Sequence, residues 1–230
     1  MVLLSSIACS DKSASDYARD YSQSGKDTCI GKVSMHLKRT KLNYVEIHEK
    51  PDTLLIFTKN SYSLLPEKSE LEWFCGKHTG LVMMKNGSFR IEKKQIVAGE
   101  FSVDMDSIYD VDIDNDLMRG TLENILRSED FFDVKKFPVS TFIIDSIVKI
   151  QGNSFQISGI LKIRDIEKKI RFKSLLNISL DTLFAESEKF TIDRTNWQIN
   201  HMSKKYAKNE DEFVFTDSLQ FIVHITAVAE

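Results

Sequence analysis

Apolar and polar residues alternate in about eight short segments between Tyr62 and the end of the chain, as in residues 70–75 (ELEWFC). Successive side chains of a β-strand point to opposite faces, so this period of two indicates strands with one buried and one polar face. The connections between the segments are short, which favours antiparallel pairing. We therefore predict an all-β fold for residues 60–230, an antiparallel sandwich or barrel of about eight strands. A closed eight-stranded β-barrel can hold one small ligand.

One helix interrupts the strands after about the fourth of them. Met118, Leu122 and Ile125 recur at helical spacing, which predicts that they share one face. Asp114, Asn115 or Asp116 can cap the start of this helix, because each offers a side-chain oxygen to the first free N–H groups.

The helix runs into a segment that places aromatic rings beside acids. Phe131 and Phe132 lie between Asp130 and Asp133, and Phe137 precedes a proline that cannot continue a helix. Phenyl rings favour burial. We predict that these three rings anchor the helix to the sheet, and that the helix covers one flank or opening of the barrel as a lid.

A tight hairpin turn is predicted at Asn86-Gly87, between the apolar residues Met84 and Phe89. Asn-Gly accommodates the positive φ angles that a two-residue hairpin turn requires.

Composition and motifs exclude several functions. The chain has 230 residues with 31 Lys and Arg against 34 Asp and Glu, so no basic surface for nucleic acid is expected. Motifs for serine hydrolases, zinc proteases, P-loop enzymes and dinucleotide binding are missing from the sequence. We therefore expect no enzyme. An enzyme acting at the barrel mouth would have four titratable candidates, namely His78, Asp106, Asp193 and Arg194.

No metal site is expected either. Asp112, Asp114, Asp116 and Glu123 have the spacing of a calcium loop, but Leu117 occupies the position where that loop needs glycine. We interpret these acids as a solvated loop and a favourable helix N-terminus. The five histidines lie far apart in sequence and suggest no ligand pair; they are His36, His48, His78, His201 and His224.

The N-terminal part predicts a lipoprotein. Residues 1–8 form a short apolar stretch that resembles the remnant of a signal peptide cleaved ahead of Cys9, which would then be acylated. The alternative is a frayed apolar terminus. Residues 9–59 are interpreted as a tether and an N-terminal extension. A lipoprotein of the bacterial cell envelope, periplasmic or at the outer membrane, would contact the membrane through its lipid anchor alone. Spacing leaves open whether Cys29 and Cys75 pair.

Five ordered motifs resemble the YceI-like family of lipid-binding proteins. The matching segments are residues 73–80, 99–108, 122–142, 158–164 and 192–199, which include GEFSVDMDSI and IDRTNWQI. The sequence departs from the family at Asp165 and Gln198, where the family has glycine. These departures fall in turns and at a predicted rim.

The resemblance implies a lipocalin-like β-barrel that binds a long-chain isoprenoid, a quinone or a similar amphiphilic lipid in an apolar interior, without other cofactors. Burial of the chain would gain about 0.8 kcal/mol per methylene. Inward residues expected to line the ligand are Trp73, Phe89, Phe101, Met105, Phe142, Phe155, Phe172 and Phe221. The implied role is a carrier, store or sequestering protein in the envelope. Because family members are often dimeric, a homodimer is one option. The alternative is an interaction module without bound lipid.

Overall fold

The computed structural model describes residues 60–207 and 215–230, which contain eleven strands and one α-helix. The strands are β1 (Ser61–Leu64), β2 (Glu70–Cys75), β3 (His78–Glu92), β4 (Gln95–Asp104), β5 (Tyr109–Asp110), β6 (Val139–Gln151), β7 (Ser154–Ile163), β8 (Ile166–Ser179), β9 (Thr182–Ser187), β10 (Phe190–Asp193) and β11 (Ser218–Ala229). The helix α1 spans Asp116–Arg127. Short 3-10 helices span Pro66–Lys68, Met105–Ser107, Arg194–Trp197 and Lys204–Tyr206.

Eight of the strands pair in a closed ring. Its order is β11-β2-β3-β4-β6-β7-β8-β9, and β9 pairs again with β11 to complete the circuit. Each of these pairings is antiparallel. Strand β1 pairs with both β3 and β11, whereas β5 pairs with β3 and β10 with β11. The predicted all-β, lipocalin-like fold, with eight antiparallel strands and a helix after about the fourth, is confirmed.

The core occupies the inside of the ring. In β11, Leu219, Val223, Ile225 and Ala227 are buried, so the alternation read from the sequence becomes an inward apolar face. Other strands contribute Phe142 and further large side chains to the same apolar cluster. Burial of these inward faces holds each strand in register, because a slip of one residue would expose its apolar set.

The hairpin turn predicted at Asn86-Gly87 is wrong, because β3 continues through both residues. The strand pairing shifts by a β-bulge here, and the Ser102 hydroxyl donates to Asn86 Oδ1 at 2.6 Å. A Cβ at Gly87 would lie 2.9 Å from the carbonyl oxygen of Glu100. Glycine therefore permits a close strand approach rather than a turn. The chain reverses after Glu92, between β3 and β4.

A side-chain cap starts helix α1, and apolar residues near its C-terminal end orient it against the core. Asn115 caps it, because its side chain accepts a hydrogen bond from the Met118 N–H at 3.0 Å. Leu126 is the buried residue of α1 and Leu122 packs against the core, whereas Met118 is 66% exposed. The predicted inward stripe is thus shifted toward the C-terminal half of the helix, and Met118 does not share the buried face.

Residues 1–59, with the predicted signal-peptide remnant, Cys9, Cys29, His36 and His48, lie outside the described residues. The lipoprotein, tether and extension stay predictions. Among the residues that the structure does describe, no helix combines the length and the apolar character needed to cross a membrane.

Candidate functional site

A continuous row of phenyl rings crosses the inside of the ring of strands. Neighbouring ring centroids lie 5.4 Å apart for Phe101–Phe142 and Phe142–Phe172, 4.5 Å for Phe172–Phe190 and 5.8 Å for Phe190–Phe221. These separations are those of favourable aromatic pairs. We call these five residues the aromatic row. It gives the interior a rigid, apolar floor.

Of two cavities inside the ring of strands, the larger lies along the aromatic row. It has a volume of about 80 Å³, counted as space open to the centre of a water molecule. A single water needs about 10–15 Å³ by this measure, so the space exceeds that of an isolated packing defect. The polar side-chain groups in the described wall are the indole N–H of Trp73, the thiol of Cys75 and the hydroxyls of Ser140 and Thr141, and the rest of the wall is aliphatic or aromatic. Such a wall favours hydrocarbon over water.

A second cavity of about 30 Å³ shares Phe101, Phe142 and Phe172 with the first. These three rings of the aromatic row therefore stand between the two spaces. Gly159 on β7 makes room for the central ring, because a Cβ there would lie 2.5 Å from Phe142 Cζ.

Most of the predicted ligand-lining residues surround these cavities. The larger cavity is bordered by Trp73, Phe101, Met105, Phe142, Phe172 and Phe221. Phe89 borders the second cavity. Phe155 is half-buried against the core and borders neither. Their contact with a ligand stays a prediction.

The end of α1 and the segment that follows it form one wall of the larger cavity. Leu126, Phe131 and Phe132 border this space, and the two phenyl rings meet edge to face at 5.0 Å. Phe131 is 1% exposed. Phe137, the third predicted anchor, instead lies half-buried beside Arg164, with the guanidinium 5.6 Å from the ring centroid. Two of the three predicted anchors therefore face the cavity.

Arg194 supports this wall by packing against Phe131, and it does not itself border the cavity. Its guanidinium is fully buried and lies 5.1 Å from the centroid of Phe131. It donates hydrogen bonds to four backbone carbonyls, those of Ile199 (2.8 Å), His201 (2.9 Å), Thr216 (3.0 Å) and Phe215 (3.5 Å). Asp217 Oδ1 lies 3.2 Å from its Nη2. Burial lowers the pKa of Arg194 and Asp217 opposes this effect. We call this set of contacts the arginine knot.

The arginine knot also affects the thiol in the cavity wall. Burial raises the pKa of Cys75, an effect that the charge of Arg194 opposes in part. The net rise favours the neutral thiol at neutral pH, which suits an apolar wall. Cys29 lies outside the described residues, so pairing between Cys29 and Cys75 stays open.

A polar cluster lies at the start of β3, where the sequence indicated separate residues. His78 Nδ1 is 3.2 Å from Asp112 Oδ1 and 3.9 Å from Asp110 Oδ2. Burial, supported by Asp112, raises the pKa of Asp110 to about 6, although the N–H of Ile113 opposes the rise. No spacing rule could have revealed this cluster, because His78 and Asp112 are separated by 34 positions.

The four titratable residues considered for an enzyme have four separate sets of contacts. Their side-chain partners are Arg127 for Asp106, Asp110 and Asp112 for His78, Thr195 for Asp193, and Asp217 for Arg194. Hydrogen bonds from Thr195 lower the pKa of Asp193. Each of these residues therefore has local contacts of its own.

The calcium-like spacing does not become a calcium loop. The carboxylate of Asp116 pairs with Arg119, and Glu123 Oε1 accepts a hydrogen bond from the Asp110 N–H at 3.0 Å. Asp114 is exposed. In a calcium loop these oxygens would all bind one ion, whereas here they make separate contacts.

Comparison with known proteins identifies relatives of the fold. The model of the YceI-like domain family matches residues 62–227. The crystal structure of Burkholderia cenocepacia BcnA is 16% identical with a TM-score of 0.58, covering 72% of this chain and 99% of that chain. A polyisoprenoid binding domain from Saccharophagus degradans is 13% identical with a TM-score of 0.53, covering 74% and 98% respectively. No curated protein matches the chain. At these identities the two structures show the fold alone.

Proposed function

This chain belongs to the family of YceI-like domains, and we propose that it binds a long-chain isoprenoid or a similar amphiphilic lipid inside its ring of strands, without catalysis. The observation that carries the proposal is the larger cavity, whose wall is aromatic and aliphatic. The similar domain from Saccharophagus degradans is described as polyisoprenoid binding, which supports the same ligand class for this chain.

Hydrocarbon is the chemistry that this interior favours. Each buried methylene gains about 0.8 kcal/mol, and this gain needs no directional partner. Charged side chains are missing from the described wall, so an ionic ligand would find no counter-charge there. The polar end of an amphiphile would remain toward solvent while its chain lies along the aromatic row.

The proposed role is that of a carrier, store or sequestering protein in the bacterial cell envelope. An acyl group on Cys9 would hold the chain at the membrane surface, and the folded domain would keep a lipid tail away from water. Two such chains could act as a homodimer. None of these roles requires a cofactor.

Mass spectrometry of the purified full chain tests the proposal. We expect native spectra to show a bound lipid in stoichiometric amount, and solvent extraction to identify an isoprenoid or a related amphiphile. Stripped protein should rebind an octaprenyl alcohol added in detergent. Stripped protein that is folded but takes up neither the polyprenyl alcohol nor a fatty acid would contradict the proposal and favour an interaction module without lipid.

Shortening Phe132 tests whether the wall formed after α1 retains the lipid. Phe132 borders the larger cavity and meets Phe131 edge to face, so Phe132→Ala should lower the free energy of unfolding by about 2 kcal/mol and reduce lipid occupancy. Phe137→Ala is the control, because Phe137 does not border either cavity. Lipid per chain is measured by native mass spectrometry. Equal lipid loss in both variants would make this segment purely structural.

A further inference from the structure

Strand pairing brings three potential metal ligands together at the start of β3. Asp110 on β5 pairs with Gly80 on β3 in an antiparallel register. His78 lies two residues before Gly80, and Asp112 lies two residues after Asp110, so both extend on the same face of this pair. One ligand atom from each of the three residues lies within 4.8 Å of the other two. The pairing of β5 with β3, together with the bend after β5 that contains Asp112, therefore creates the cluster.

Asp110 differs from an ordinary surface acid in its burial and in its hydrogen bonding. Its side chain is 0% exposed, and Oδ2 has no hydrogen-bond partner among the described residues. Oδ1 accepts the N–H groups of Asp112 (3.1 Å) and Ile113 (2.9 Å), which fixes the carboxylate so that Oδ2 faces His78. A buried carboxylate oxygen without a partner is costly, and a cation at this point would remove that cost.

We propose that His78, Asp110 and Asp112 bind a divalent transition-metal ion such as zinc. Zinc ligands lie about 2.0–2.2 Å from the ion, which places neighbouring ligand atoms about 3.4 Å apart in a tetrahedral site. The distances from His78 Nδ1 are 3.2 Å to Asp112 Oδ1 and 3.9 Å to Asp110 Oδ2. The ligand atoms of Asp110 and Asp112 lie within 4.8 Å of each other, and three protein ligands leave the fourth position of a tetrahedral site for water.

The ligand atoms of the three residues indicate which class of ion the site would bind. One imidazole nitrogen with two carboxylate oxygens suits zinc and its transition-metal neighbours, whereas calcium takes six to eight oxygens. His78 and Asp112 are about one quarter exposed, so an ion can enter from solvent. Asp110 supplies the buried end of the site.

The ion would connect the helix to the ring of strands. Residues 111–115 link β5 to α1, and Asp112 lies within this link while His78 begins β3. An ion shared by the two would fasten the start of α1 to the strand. This consequence is independent of lipid binding, since the larger cavity does not include any of the three ligands.

Isothermal titration calorimetry with zinc chloride on the metal-free full chain tests the site. We expect one ion to bind, and Tm to rise when zinc is added. His78→Asn and Asp112→Asn should each weaken zinc affinity by more than about tenfold, since even the loss of an outer-shell partner has an effect of that size. Both substituted residues are partly exposed, so the variants should fold, and circular dichroism checks this.

His224→Asn is the matched control. His224 also lies near two carboxylates, but Glu72 Oε1 is 3.0 Å from Nε2 and Glu186 Oε2 is 3.6 Å from Nδ1. The two acids face opposite ring nitrogens and do not converge on one ion. Zinc binding should therefore be unchanged in this variant.

Cobalt substitution identifies the ligands independently. Cobalt at the proposed site should give visible ligand-field bands, without the ultraviolet charge-transfer band of a thiolate ligand. Zinc affinity that survives in both His78→Asn and Asp112→Asn, or a thiolate band, would overturn the proposal. Calorimetry that detects no zinc binding would overturn the proposal as well, and would mean that the three groups interact only with one another.

Discussion

Replacement of Arg194 by alanine is expected to lower the free energy of unfolding by about 3–5 kcal/mol. The side chain is fully buried, donates to four backbone carbonyls and lies 3.2 Å from Asp217. Its removal would take one donor from each of those carbonyls and would leave Asp217 without this counter-charge. The contact with Phe131 would also be lost, so the wall of the larger cavity should loosen together with the arginine knot.

Urea unfolding followed by tryptophan fluorescence measures this loss. A destabilisation of that size should lower Tm by roughly 10 °C in a domain of this length. Arg194→Lys retains the charge but not the planar set of donors, so we expect an intermediate loss. Arg90→Ala is the control, because that side chain is 62% exposed and should change stability by about 0.5 kcal/mol or less. A loss from Arg194→Ala no larger than that of Arg90→Ala would show that the arginine knot is dispensable.

Filling the larger cavity with a phenyl ring is expected to remove most of the bound lipid. Val82 is 5% exposed and borders this cavity from β3. The added ring of Val82→Phe would occupy the space where we propose that the lipid chain lies. Affinity of the stripped variant for octaprenyl alcohol should fall by at least about tenfold, which corresponds to about 1.4 kcal/mol of binding free energy.

Val97→Phe is the matched control for this substitution. Val97 lies on a neighbouring strand, β4, but is 45% exposed, so an added ring there should leave lipid occupancy unchanged. Ser140→Leu gives a second filling of the same cavity from β6. Near-ultraviolet circular dichroism establishes that each variant is folded. Full lipid occupancy in folded Val82→Phe and Ser140→Leu would place the ligand outside the larger cavity.

The strands were predictable from sequence because their burial is one-sided. In residues 219–227 every inward side chain but one is buried, which is what the alternation of apolar and polar residues predicts. The error at Asn86-Gly87 has a physical cause. A glycine is required both by tight turns and by close approach of two strands, and sequence alone does not distinguish these two needs. At Gly87 the approach of Glu100 determined the outcome.

The site was predictable only as far as local pattern determines it. Alternation placed Phe101 and Phe142 on inward faces, but the cavities depend on how rings from five strands pack against one another. The arginine knot joins Arg194 to carbonyls as far away as Thr216, and backbone acceptors have no sequence signature. The cluster at His78 depends on the register of β5 against β3, which no property of the single segments reveals.

The closure of the sheet through β9 and β11 determines how another protein can engage this domain. Each of the eight strands in the circuit has hydrogen-bonded neighbours on both sides. A strand donated by a partner would therefore find an edge only where this pairing is incomplete, as along residues 144–151 of β6, because β4 pairs with β6 only as far as Ile143. Elsewhere on the circuit, paired edges suppress edge-to-edge aggregation. Amide hydrogen exchange should accordingly show strong protection where a strand is paired on both sides and weaker protection along residues 144–151.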